Sequence, residues 1–215
     1  ALYCHTFTHF LGREMYKKTN SVPLVYEQCS SACDGGCWHG AIESYFEERS
    51  VDSVSTSEEV LRKEVVTVCG RREDFALATH YVQCVHGIGH ALMFVTNGEL
   101  YQSLKFCDAL EGERIRVQCY HGVFMENGGS ATSVHPSRYI SETDPLYPCA
   151  DVETAYQWSC YFNKGPYAAR ITGGDADKMI YICGSVATEE GRGACFLGLG
   201  ETLVTLLREP EPMKE

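Results

Sequence analysis

The sequence predicts an all-α protein, a curved or closed array of helical hairpins stitched by disulfides. Three observations lead there. The phrase Cys-x-His-Gly occurs as Cys37-Trp38-His39-Gly40, Cys84-Val85-His86-Gly87 and Cys119-Tyr120-His121-Gly122. With the degenerate copies headed by Cys160 and Cys195, these cysteines follow one another at steps of 47, 35, 41 and 35 residues, the period of helical-hairpin repeats. Apolar residues recur at steps of three and four, as in Val85, Ile88, Leu92 and Val95, whereas two-residue alternation is absent.

Each repeat reads as a first helix ending at a cysteine, a short connection, and a second helix beginning at the partner cysteine. First helices are expected over Ser57–Cys69, where Ser57 offers a cap ahead of Leu61, Val65 and Val66, over Gly98–Cys107, and over Asp175–Cys183. Second helices are expected over Cys37–Glu48, Cys84–Thr96, Cys119–Glu126, Cys160–Ile171 and Cys195–Leu207. Punctuation falls between units at Asn97-Gly98, Asn127-Gly128-Gly129 and Gly173-Gly174. The stretch from Ser130 to Pro148, rich in Ser, Thr and Pro, reads as a long inserted loop. Residues 1–208 are expected to form a single repeat domain, and 209–215 a tail or linker.

Twenty glycines is many for a helical chain, because an internal glycine costs roughly 1 kcal/mol against alanine. Gly40, Gly87, Gly89, Gly122, Gly165, Gly198 and Gly200 all fall early in expected second helices. A missing side chain there permits close approach of a neighbouring helix or a ligand.

In layout the chain resembles the disulfide-stitched, cysteine-rich relatives of tetratricopeptide repeats, in which a bridge ties the two helices of each hairpin. The alanine-rich consensus of those repeats is missing and Cys-x-His-Gly is no part of it, so the resemblance implies layout and carries no function.

Twelve cysteines without any Cys-x-x-Cys read as a disulfide framework in an oxidising compartment rather than as thiolate metal sites. Spacing pairs Cys69 with Cys84, Cys107 with Cys119, Cys149 with Cys160 and Cys183 with Cys195. Cys4, Cys29, Cys33 and Cys37 remain; Cys29 with Cys37 and Cys4 with Cys33 is the favoured arrangement, against a thiolate site in this cluster.

A formal charge of -11, with Lys and Arg nowhere clustered beyond pairs, argues against nucleic acid as a partner and against an anionic membrane surface. No run of 18 apolar residues occurs, so membrane contact is expected only through a removed signal or anchor segment. The chain opens at Ala1-Leu2-Tyr3-Cys4, already inside an apparent repeat. A secreted, periplasmic or cell-surface ectodomain is therefore expected, and the lack of an Asn-x-Ser/Thr sequon favours a bacterial or archaeal envelope.

The chemistry lies in the histidines. Six of the eight sit in the repeat motifs, and only His80 and His135 lie elsewhere. The fourth residue after each motif histidine completes a pair: His5 with His9, His39 with Glu43, His86 with His90, and His121 with Met125. Residues four apart on a helix face the same way, and His-x-x-x-His is a metal-binding spacing. At helix N-termini the local dipole favours neutral imidazole, the metal-binding form. His5, His9, His39, Glu43, His86, His90 and His121 are thus the expected ligands of a transition-metal centre of one ion or two. Mixed imidazole and carboxylate ligands fit Zn, Cu, Fe or Mn. An open coordination position would allow activation of water or a redox substrate, so enzyme and metal carrier both stay open.

Two other readings use the same residues. The histidines could fill packing niches in a scaffold presenting a face to a protein ligand or glycan. Alternatively, glycine-rich helix N-termini could converge on an anionic small molecule. Phe162 and Leu197 occupy the first histidine position in the last two repeats, so the repeat itself does not require histidine. Glu126 and Asn127 are secondary candidates beside His121, and Glu201 matches Glu43 in repeat position. Haem lacks an attachment motif here, leaving only bis-histidine ligation.

Overall fold

The computed structural model describes residues 2–50, 58–129 and 137–208. Among them are eleven α-helices and no strand. Two compact units form, Ala1–Glu126 and Asn127–Glu215. Ser57, the loop residues 130–136 and the tail 209–215 lie outside the described residues.

The first unit contains α1 (Leu2–Thr19), α2 (Val22–Gln28), α3 (Gly36–Ser50), α4 (Glu58–Thr67), α5 (Ala78–Val95), α6 (Leu100–Cys107) and most of α7 (Glu113–Gly129). Local signals account for several boundaries. Ser21 accepts from the Leu24 amide at 3.4 Å and Pro23 sits in the first turn of α2. Asn97 and Gly98 take φ of 55° and 78°, turning the chain between α5 and α6. α1 packs along α3, α3 on α5, and α5 on α7. Their shared core holds Tyr16, Val25, Tyr26, Ile42, Phe46, Ile88 and Leu92.

In the second unit α8 (Thr154–Phe162), α9 (Gly165–Thr172) and α10 (Ala176–Gly184) are followed by α11 (Glu189–Arg208), which packs on α8 and α9. Tyr156, Tyr167, Met179 and Leu199 are buried there. Residues 137–153 form turns, as the inserted loop requires.

All twelve cysteines are paired, as Cys4–Cys33, Cys29–Cys37, Cys69–Cys84, Cys107–Cys119, Cys149–Cys160 and Cys183–Cys195. This is the expected set, including the favoured arrangement near the N-terminus. Among the described residues no helix is long and apolar enough to cross a membrane.

The expected helix starts need correction. α5, α7, α8 and α11 begin at Ala78, Glu113, Thr154 and Glu189, six residues before their cysteines in every case. At α5, α7 and α11 the bridge therefore ties the end of one hairpin arm to the flank of the second turn of the other, and at α8 it ties Cys149, in the preceding turns, to that flank. The expected helix Cys160–Ile171 is split at Asn163 and Lys164 into α8 and α9. Pro166 has no amide proton to continue the first helix, and instead occupies the first turn of the next. Conversely, α7 runs through Asn127-Gly128 to Gly129, because Asn127 is buried and held by the Tyr139 carbonyl at 3.0 Å.

Candidate metal centre

The recurring Cys-x-His-Gly phrase acquires a physical meaning in the first unit. The cysteine is the bridge, and the glycine is the point where helices cross. A Cβ on Gly40 would overlap the backbone carbonyl of His9, and one on Gly122 would overlap that of His86. His39 and His121 each precede a crossing glycine, while His86 precedes Gly87, where a Cβ would meet the Tyr26 hydroxyl and the Ile42 side chain, and α5 crosses α7 at Gly89; the imidazoles emerge where neighbouring helices touch. Tyr26 fixes the height of one crossing. Its hydroxyl, fully buried, lies 3.3 Å from the Trp38 carbonyl on α3 and 3.4 Å from the Gln83 carbonyl on α5.

His39, His86 and His90 come together. Each offers a ring nitrogen within 4.8 Å of the others. His90 Nε2 lies 3.1 Å from His86 Nε2, and the rings of His39 and His90 stack with centroids 4.3 Å apart. His39 and His90 are only 4% and 7% exposed, and His86 is half-buried. These three imidazoles could hold a metal ion.

Carboxylates surround the triad. Glu126 Oε2 accepts from His90 Nδ1 at 2.9 Å. Glu43 Oε2 lies 3.2 Å from His9 Nδ1 and 2.9 Å from the Arg13 guanidinium, which also reaches Glu47 at 2.5 Å. Arg13 pairs with both Glu43 and Glu47, and Glu126 pairs with His90. Burial pushes Glu43 upward, but the hydrogen bond and charge of His9, with those of Arg13, outweigh it and hold the carboxyl below its ordinary value. Burial likewise raises Glu126, and its bond to His90 reverses the shift. Burial carries His86 well below 6.5, with the neighbouring His90 and His121 adding to the effect. His121 falls to about 4 through burial. His86 and His121 are therefore neutral at pH 7.

No protein-family model, curated protein or solved structure matches this chain. The reading of the site accordingly rests on its own geometry.

The other expected ligands are placed as follows. His9 pairs with Glu43, and its ring centroid is 5.5 Å from that of His39. Glu43 is engaged by His9 and Arg13. His121 is buried beside Gly122 and acts electrostatically on His86, without entering the cluster of three nitrogens. The side chain of His5 and all of His135 lie outside the described residues. Met125, four residues after His121, is 43% exposed, and Glu126 beside it makes the contact with His90. His80 bonds to Glu27 at 3.3 Å. Glu201 is exposed on α11, and Leu197 is 59% exposed.

Burial, rather than a helix N-terminus, keeps His86 and His121 neutral. His86 and His121 lie beyond the second turn of α5 and α7, past the reach of the helix dipole. Burial does what the N-terminus was expected to do. The same displacement moves the glycine-rich motifs of α5, α7 and α11 away from their helix N-termini, whereas α3 begins at Gly36 and keeps His39 in its first turn.

Proposed function

We propose that this is an exported metal-binding protein that holds one divalent transition-metal ion on His39, His86 and His90. The convergence of three imidazole nitrogens within 4.8 Å carries the reading. In a tetrahedral site with metal–nitrogen bonds of about 2.0–2.1 Å, neighbouring nitrogens stand about 3.3 Å apart. The 3.1 Å between His86 and His90 is close to that value. Neutral His86 supplies a lone pair without first shedding a proton. Glu43 belongs, in this reading, to the surroundings rather than to the ligand set, because Arg13 already holds it. Imidazole ligation without carboxylate favours Zn, Cu or Fe over Mn. Complete pairing of the cysteines supports an oxidising, extracytoplasmic location.

A second reading is favoured by the same 3.1 Å contact. His86 in its Nε2–H tautomer can donate to His90, making the cluster a neutral hydrogen-bonded part of a scaffold. Elemental analysis of protein purified without tag or chelator, followed by titration of the chelated protein with Zn²⁺ at neutral pH, separates the two. The metal reading expects one equivalent of tightly held ion. Protein that arrives metal-free and binds neither Zn²⁺ nor Cu²⁺ nor Fe²⁺ overturns it, and leaves the scaffold.

A further inference from the structure

We propose that Glu126 is the positioning residue of this centre, fixing the tautomer of His90 so that its Nε2 lone pair points at the ion; this rests on the metal reading above. Glu126 stands on α7, and the imidazole it touches stands on α5, so the contact spans two helices. The Gly122 crossing brings those helices close enough for the bond to form. A glutamate carboxylate is ionised at neutral pH. An ionised carboxylate only accepts. The proton of the 2.9 Å bond therefore sits on His90 Nδ1, and in that tautomer the lone pair lies at Nε2, the atom that faces His86 at 3.1 Å.

Two consequences follow for the ion. The ring is oriented before the metal arrives, since His90 is 7% exposed and stacked on His39. The carboxylate also raises the basicity of the ligand by stabilising the positive charge that develops on a metal-bound imidazole. The neighbouring carboxylate does not share this role. Glu43 is compensated by Arg13 and bonds to His9, outside the cluster of three nitrogens. Glu126 pairs instead with His90 of the cluster. It is the repeat's +5 residue, reaching across to α5, whereas the +4 residue Met125 turns to solvent.

The test uses the full chain, chelated and then loaded with Co²⁺ as a spectroscopic probe and Zn²⁺ by competition. Glu126→Gln keeps an oxygen able to accept from Nδ1 but removes the charge. Glu126→Ala removes both. The expected result is a loss of metal affinity of roughly tenfold for Gln and towards 100-fold for Ala, the range for outer partners of ligating histidines. Long-range ¹H–¹⁵N correlation spectra of the metal-free proteins supply a readout that a packing role would not move. Wild type and Glu126→Gln should show His90 as the Nδ1–H tautomer, and Glu126→Ala should lose that preference. If wild type binds Co²⁺ while both variants bind it equally well and the His90 tautomer is unchanged in Glu126→Ala, Glu126 does not position the ligand and the metal reading stands. If wild type takes up neither metal, the metal reading falls and this proposal with it. Glu126→Gln is isosteric, so a folding failure of the alanine variant still leaves the charge effect measurable.

Discussion

The Nε2 atoms of His86 and His90 face each other at 3.1 Å across one turn of α5. A contact of that length between two ring nitrogens needs something between them, a proton or a cation. The third imidazole, His39, arrives from a different helix, and its removal is the most direct discrimination.

His39→Ala should weaken Zn²⁺ binding by more than roughly 100-fold, beyond the effect of losing an outer partner. Helical circular dichroism and the disulfides should remain, because Leu197 shows an exposed, non-histidine residue at the same repeat position. Isothermal titration with Zn²⁺ checks it, and unchanged affinity would remove His39 from the ligand set.

Acid should destabilise the metal-free protein in a defined window. His121 is lowered from 6.5 to about 4 by burial. Above pH 6.5 both folded and unfolded forms are neutral there, and the group makes no pH-dependent contribution. Between pH 6.5 and about 4 the unfolded chain binds a proton that the folded one refuses, so stability falls as pH falls. The total loss from this residue is on the order of 3 kcal/mol, at 1.36 kcal/mol per unit. Urea denaturation of wild type and His121→Leu at pH 7 and pH 4 measures it as the difference in slope.

Two glycine-to-alanine changes should have opposite signs. At Gly122 the new methyl would overlap the His86 carbonyl, and overpacking of that kind costs about 1–3 kcal/mol. At Gly200, on α11, a Cβ meets nothing within 4 Å, so alanine should add up to about 1 kcal/mol of helix stability. Midpoints in urea give both values. Gly122→Ala should also weaken Zn²⁺ binding, since His86 would be displaced.

Removing the Cys69–Cys84 bridge by the double change Cys69→Ser and Cys84→Ser should cost about 3 kcal/mol, the chain-entropy value for a loop of 15 residues. Alkylation of unreduced wild type, followed by mass spectrometry, should find no free thiol.

The pairing of the cysteines was legible because hairpin spacing leaves each of Cys69, Cys107, Cys149 and Cys183 one near partner. The meeting of His39 with His86 and His90 was legible only as a shared motif, since the sequence does not say which faces converge. The six-residue helix extensions before the cysteines carry little signal at α5 and α7, where Ala78 and Glu113 follow Leu77 and Gly112 rather than a Ser, Thr, Asn or Asp cap, whereas Thr188 does cap α11, its hydroxyl accepting from the Gly191 amide at 3.2 Å. Glu126 was recognised as a candidate for the wrong histidine. Its contact runs across helices to His90, and spacing along one helix reports only neighbours on that helix.

The connectivity of the bridges bears on how the chain is made. Four bonds join cysteines that are consecutive in the sequence, so an oxidase acting as each pair emerges would close them correctly in turn. The first four cysteines are interleaved, Cys4 with Cys33 and Cys29 with Cys37. There, Cys4 and Cys29 emerge before either partner, and joining them first gives a non-native link. A strictly sequential oxidase would thus leave this end of the molecule to be rearranged by disulfide exchange, a step the four later bonds do not call for.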